Sequence, residues 1–177
     1  MKATGIIRRI DELGRIVIPK EIRKNLKIRE GNNLEIYINA DETIILKKYS
    51  ALKNIKDFAS LLVESIYGDI KKNILITDTD KIIAVAGKEK KELLGMELSE
   101  EIINSINRRE KRLEKYPKNL KITETKEIES TYVISTIISS GDAVGMIIIY
   151  DIESKISEIE ENIANVVSTF LAKHIGE

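Results

Sequence analysis

Nine residues near the start of the chain, Asp11-Glu12-Leu13-Gly14-Arg15-Ile16-Val17-Ile18-Pro19, leave little room for long elements. Gly14 can take positive φ in a turn that opens at Asp11, and residues 15–18 form a short, mostly β-branched strand. Pro19 suits the first position of a helix, because its missing N–H would be unpaired there anyway. Residues 4–10 before the turn read as a strand. Residues 20–26 read as a two-turn helix with Ile22 and Leu26 on one face, which turns Arg23 and Lys24 away from it. Glu30-Gly31-Asn32-Asn33 stops the helix. Leu34, Ile36 and Ile38 then alternate with Glu35, Tyr37 and Asn39 in a half-buried strand, and Asp41-Glu42 turns the chain into a last strand at 43–49.

Four short strands and one short helix bury too little apolar surface to stand alone as fifty residues. Pairing with a second copy about a two-fold axis would complete the core and present every basic residue twice. The charge distribution points to a polyanionic partner. Eleven of the 29 Lys and Arg and seven of the 29 Asp and Glu lie in the first fifty positions, a net of +4 that the remaining residues offset.

The motifs Thr4-Gly5-Ile6-Ile7-Arg8-Arg9, Asp11-Glu12-Leu13-Gly14-Arg15, Ile18-Pro19, Leu34-Glu35-Ile36 and Ile45-Leu46-Lys47-Lys48-Tyr49 together resemble the AbrB family of bacterial transition-state regulators. The resemblance implies an intertwined swapped-hairpin barrel made by two chains, a DNA-binding face built from arginines, and regulation of sporulation genes. Carried over by position, that face comprises Arg8, Arg15 and Arg23, with Lys24 where the family has arginine. Lys24 keeps the charge but loses the bidentate fork, so it suits phosphate better than a base edge. Strand alternation places Arg8 with Ile6 and Ile10 on the inward side, which makes Arg9 the competing candidate. A guanidinium can fork two hydrogen bonds to phosphate or to guanine O6 and N7, and with no long recognition helix the grip falls largely on the backbone and on DNA shape.

Beyond Ser50, Leu52, Ile55, Ala59, Leu62 and Ile66 recur at heptad spacing on a helix ending near Gly68, and Ile156, Ile159, Ile163, Val166 and Phe170 repeat the pattern near the other end. Two such helices would pack side by side and join a partner's pair in a four-helix bundle, giving a homotetramer. Val63, Val167 and Leu171 widen both stripes, so the alternative is that each helix packs on its own sheet. Five strands are expected between them, at 74–76, 82–86, 120–123, 131–138 and 143–150, with a helix at 100–112. The segment 144–149 is apolar on both faces, as a central strand covered by helices would be. This order is similar to a GAF domain, which implies ligand sensing or oligomerisation. The predicted fold is therefore α+β: an AbrB-type swapped-hairpin β-barrel formed by a dimer (1–50), then a GAF-like domain with a central antiparallel sheet and flanking helices (51–177).

Other features carry little. Asp78-Thr79-Asp80 reads as a turn between strands, His174 as a cation in the last turn of a helix, and Arg108-Arg109-Glu110-Lys111-Arg112 as a solvated helix end. With no cysteine there is no thiolate metal site, disulfide or cysteine nucleophile. No phosphate-loop, nucleophile-elbow or dinucleotide motif supports an enzyme, and neither catalytic nor metal-ligating residues are expected. The start of the chain has no apolar leader and no stretch is long enough to span a membrane, so a cytoplasmic protein is expected. The sequence reading is a homo-oligomeric regulator of duplex DNA, acting as activator or repressor, with no cofactor beyond a small-molecule ligand of its carboxy-terminal domain. An antitoxin, or a ligand sensor whose barrel serves assembly only, is the alternative.

Overall fold

A computed structural model describes residues 5–176. The chain divides into two compact units, Met1–Tyr49 and Ser50–Glu177.

The first unit contains α1 (Lys20–Asn25), β1 (Leu34–Ile38) and β2 (Ile44–Lys48). β1 and β2 form an antiparallel hairpin in register from Leu34 opposite Lys48 to Ile38 opposite Ile44. Its turn closes through Asn39 N–H to Thr43 O at 3.0 Å and Glu42 N–H to Asn39 O at 3.1 Å, with Glu42 at φ 59°. The strands expected at 4–10 and 15–18 are not in any sheet of the single chain; Thr4 lies outside the described residues. A strand persists only where a neighbour receives its ladder of hydrogen bonds, and the described residues of one chain build no such ladder along these segments. Pro19 stands one place earlier than expected. It is the N-cap, with ψ 148°, and its carbonyl accepts from Arg23 N–H at 3.0 Å. No described side chain of this unit is buried: Ile7 is 90% and Ile38 78% exposed.

The second unit runs α2 (Ala51–Asn54), α3 (Lys56–Ile70), β3 (Asn73–Thr77), β4 (Ile82–Ala86), α4 (Lys90–Leu93), α5 (Glu100–Asn107), β5 (Lys111–Lys121), β6 (Glu127–Ser139), β7 (Asp142–Asp151) and α6 (Glu158–Gly176). The strands make one antiparallel sheet in the order β4-β3-β7-β6-β5. β7 is buried on both faces, as its unbroken apolar run requires. Ile147 and Ile149 join Ile74, Ile76 and Val133 beneath α3 and α6, while Met146, Ile148 and Tyr150 join Leu75, Ile102 and Ile106 on the side of α5. Tyr132 and Tyr150 fill that second face. The Tyr150 hydroxyl donates to Glu89 Oε2 at 2.6 Å, and burial raises its pKa.

Three expectations change here. The first helix breaks at Ile55 into α2 and α3, and α3 passes Gly68 to end at Ile70 on Lys71 at φ 55°. The helix expected to reach residue 112 stops at Asn107. Glu110 N–H bonds to Ser105 O at 3.0 Å and Arg109 N–H to Ile106 O at 2.9 Å, a Schellman motif whose left-handed residue is Arg109 and not glycine. β5 then begins at Lys111, well before the expected strand at 120–123. It is an edge strand dense in charge, with Pro117 in an irregular stretch where Lys115, Tyr116 and Pro117 face Thr131 alone.

Candidate nucleic-acid interface

The basic residues singled out from the sequence sit on two local structures of the first unit. One is the turn from Asp11 to Arg15. Asp11 N–H donates to Arg15 O at 3.0 Å and Gly14 N–H to Asp11 O at 2.9 Å, with Gly14 at φ 73°. This three-residue loop closes on a left-handed glycine, as the sequence implied. The Asp11 carboxylate does more than turn the chain. Its Oδ1 accepts from Leu13 N–H at 3.0 Å and Arg15 N–H at 2.8 Å, while Oδ2 takes Arg15 Nε–H at 2.7 Å. These bonds, the backbone N–H of Arg15 first and its guanidinium second, hold the Asp11 carboxyl below its ordinary range. The side chain of Arg15 remains 72% exposed.

The other is α1, which ends as α5 does. Ile28 N–H bonds to Arg23 O at 2.8 Å and Lys27 N–H to Lys24 O at 3.2 Å, with Lys27 at φ 52°. The backbone of Arg23 and Lys24 is thereby fixed in a closed last turn, their side chains are exposed, and Ile22 on the opposite face is half-buried. Arg8 and Arg9 are both exposed, as are all described residues up to Val17, so exposure within one chain does not choose between them. Lys47 lies over the Tyr37 ring at 4.6 Å on the hairpin. Asp11 is the residue that reasoning from sequence missed as part of the site. Its signal is an aspartate four positions before an arginine across a glycine turn.

The helical seam predicted in the second unit divides. Leu52, Ala59 and Ile156 are buried in the unit's own core, and Ile156 precedes α6 instead of lying on it. Ile55, Leu62, Ile66 and Ile163 are half-buried against that core. Ile159, Val166 and Phe170 point outward on α6, with Val166 67% exposed, and Leu61 on α3 is 65% exposed. The rings of Phe58 and Phe170, 5.8 Å apart, show that α3 and α6 lie side by side. His174 stacks on the same aromatic pair, 5.0 Å from Phe58, rather than serving only the helix end. The surface of α6 is thus two-sided: Ala164, Val167, Ser168 and Leu171 face the sheet, and the outer stripe is uncovered in the single chain.

Among the described residues no helix is long and apolar enough to cross a membrane, and no group of three or more His, Asp or Glu could hold a metal ion.

Comparison with known proteins separates the two units. The family model "Stage V sporulation protein T C-terminal, transcription factor" matches residues 54–176, and the model "Antidote-toxin recognition MazE, bacterial antitoxin" matches residues 7–54. Stage V sporulation protein T of Bacillus subtilis (strain 168) is 39% identical over 178 aligned residues, covering 100% of both chains. The transition state regulatory protein AbrB of the same organism is 63% identical over 49 residues, covering 28% of this chain and 50% of that protein. Among solved structures, the GAF domain of an Acinetobacter phosphoenolpyruvate-protein phosphotransferase superposes with a TM-score of 0.56 at 14% identity, covering 73% of this chain and 84% of its own. That likeness identifies the fold of the second unit as GAF-like.

Proposed function

The chain belongs to the stage V sporulation protein T family of transcription factors, and on that footing we propose that it regulates sporulation genes by gripping duplex DNA with the arginines of its first unit. The observation that carries this reading is the 39% identity that runs the whole length of the chain. The exposed apolar surface of the first unit supports a homodimer there. Covering side chains such as Ile7 and Ile38 with a second copy would gain roughly 25 cal/mol per Å² of apolar surface removed from water. Strands from that copy would also pair with the segments on either side of the Asp11–Arg15 turn.

In this reading Arg15 and Arg23 contact phosphates, Lys24 adds a point charge, and Arg8 or Arg9 supplies the remaining contact according to which the dimer turns outward. The second unit sets the assembly. Its uncovered α3 and α6 stripe fits a second dimer, giving a tetramer. A ligand of the GAF-like domain would act by binding two arrangements of these helices with different affinity. The outer stripe of α6, uncovered in the single chain, supports the assembly role.

Gel shifts at two salt concentrations, with duplex and single-stranded DNA of equal length, test the reading. Duplex should be retarded and single strand should not. Arg15→Ala should weaken binding and flatten the slope of log K against log salt by roughly 0.9 for each phosphate left without its cation, and by twice that per dimer. An unchanged slope removes Arg15 from the interface. If no duplex is retarded at either salt concentration, the first unit serves assembly alone.

A further inference from the structure

Arginines that meet DNA are usually mobile in the free protein, and immobilising each of them on binding costs affinity. Arg15 differs in that its Nε is already bonded to Asp11 Oδ2 at 2.7 Å while most of the side chain stays exposed, a contact that narrows the rotamers open to it. A carboxylate in contact with an arginine that faces a polyanion needs a reason, since it cancels much of the charge that would attract phosphate.

The turn itself does not supply that reason. The hairpin between β1 and β2 closes with the same pair of backbone bonds, Asn39 N–H to Thr43 O and Glu42 N–H to Asn39 O, and there the position corresponding to Asp11 is held by Asn39. A neutral residue therefore suffices to open this type of turn. An amide oxygen at position 11 could also accept from Leu13 and Arg15 N–H, as Asp11 Oδ1 does. What an amide cannot reproduce is the charged acceptor on Arg15 Nε.

We propose that Asp11 is a positioning residue for DNA recognition: its second carboxylate oxygen fixes the Arg15 guanidinium by the Nε edge, directing the remaining N–H groups toward one geometry of the DNA backbone while weakening general attraction to phosphate. The inference rests on the reading of Arg15 as a DNA contact. Its consequence is selectivity. A held and partly neutralised guanidinium gains little from a duplex whose phosphates are out of place and keeps its full bond to one whose phosphates fit. The Asp11 carboxyl, held below its ordinary range by these same bonds, stays ionised throughout the neutral range.

The test uses the full-length protein and two probes: a duplex selected by the wild-type protein from a random pool, and a shuffled duplex of the same length and composition. In Asp11→Asn the ratio of affinities for selected over shuffled duplex should fall about tenfold, with binding to the shuffled duplex unchanged or tighter. In an Arg15→Ala background the same substitution should leave the ratio unchanged. Arg15→Lys, which keeps the charge and the turn but has no Nε–H to hold, should lose selectivity while the salt slope is retained, and it reads the same point even if Asp11→Asn folds poorly. In the free protein, exchange of the Arg15 Nε–H, followed by NMR, should be slowed by Asp11 and restored in Asp11→Asn.

Equal falls in both backgrounds would assign Asp11 to the turn alone, and a rise in affinity of equal size for both probes would assign it to bulk charge. Retention of selectivity in Arg15→Lys, or rapid Nε–H exchange in the wild type, would likewise overturn the proposal. If Arg15→Ala changes neither affinity nor slope, Arg15 does not meet DNA at all, which is a different result from an arginine that binds DNA without coupling to Asp11.

Discussion

Gly145 lies within β7, where a methyl group would run into the carbonyl oxygen of Thr77 and the side chain of Leu52. The missing Cβ is what lets α2 seat Leu52 on the sheet with no exposed area. Gly145→Ala should therefore cost about 1–3 kcal/mol, as overpacking in a close-packed interior does, and lower the melting temperature by roughly 2–4 °C per kcal/mol. A melting temperature equal to that of wild type in calorimetry would show that the sheet yields at this point. Arg109 and Lys27 present the opposite case. Both take positive φ at helix ends where glycine would be expected; the stop at Arg109 is not legible for that reason, whereas α1 ends within one residue of the expected position 26.

Among the elements, α6 shows how a helix is started and how its two faces are used. Ser157 N–H and Oγ–H both donate to Glu160 Oε2, at 2.7 and 2.6 Å, and Ile159 N–H donates to Ser157 Oγ at 3.2 Å. This resembles a capping box, with Glu160 at N3 reaching back to the Ser157 N–H, but the serine oxygen serves the N2 amide of Ile159. Burial pushes the Glu160 carboxyl up, but the bonds from Ser157 outweigh it and hold the group below its ordinary value. A depressed carboxylate contributes stability above its unfolded pKa and loses it as pH falls through the lower folded value. Glu160→Ala should cost about 1 kcal/mol at neutral pH, and the difference from wild type should vanish in acid. Thermal melts at neutral pH and in acid below the folded pKa measure both arms, and a difference that persists in acid would mean that Glu160 acts by packing. β5 went unrecognised over most of its length because a charged edge strand shows little apolar alternation. The same density of charge deters pairing with other chains.

At the scale of the whole molecule, the stripe left exposed on α6 is where the proposed assembly of dimers into tetramers is tested. Val166 and Ile159 lie on the surface of α6 away from the sheet, so charge introduced there leaves the unit's own core intact. Val166→Glu should convert tetramers to dimers in sedimentation equilibrium, with the secondary structure and the affinity of one dimer for DNA preserved. Tetramers that survive the substitution would place the interface elsewhere.

The sequence by itself determined the family, the turn at Gly14 and the strand β7 that is apolar on both sides, because each is written in local pattern or in a dense run of motif residues. Only the tertiary structure decided which half of each helical stripe is core and which is surface. A heptad pattern records that residues share a face, and burial depends on where the sheet lies. It also decided that Asp11 holds Arg15. The spacing of the two residues was visible from the start, but the bond between them exists only because the turn brings one oxygen of the carboxylate to the Nε and leaves the other to the backbone.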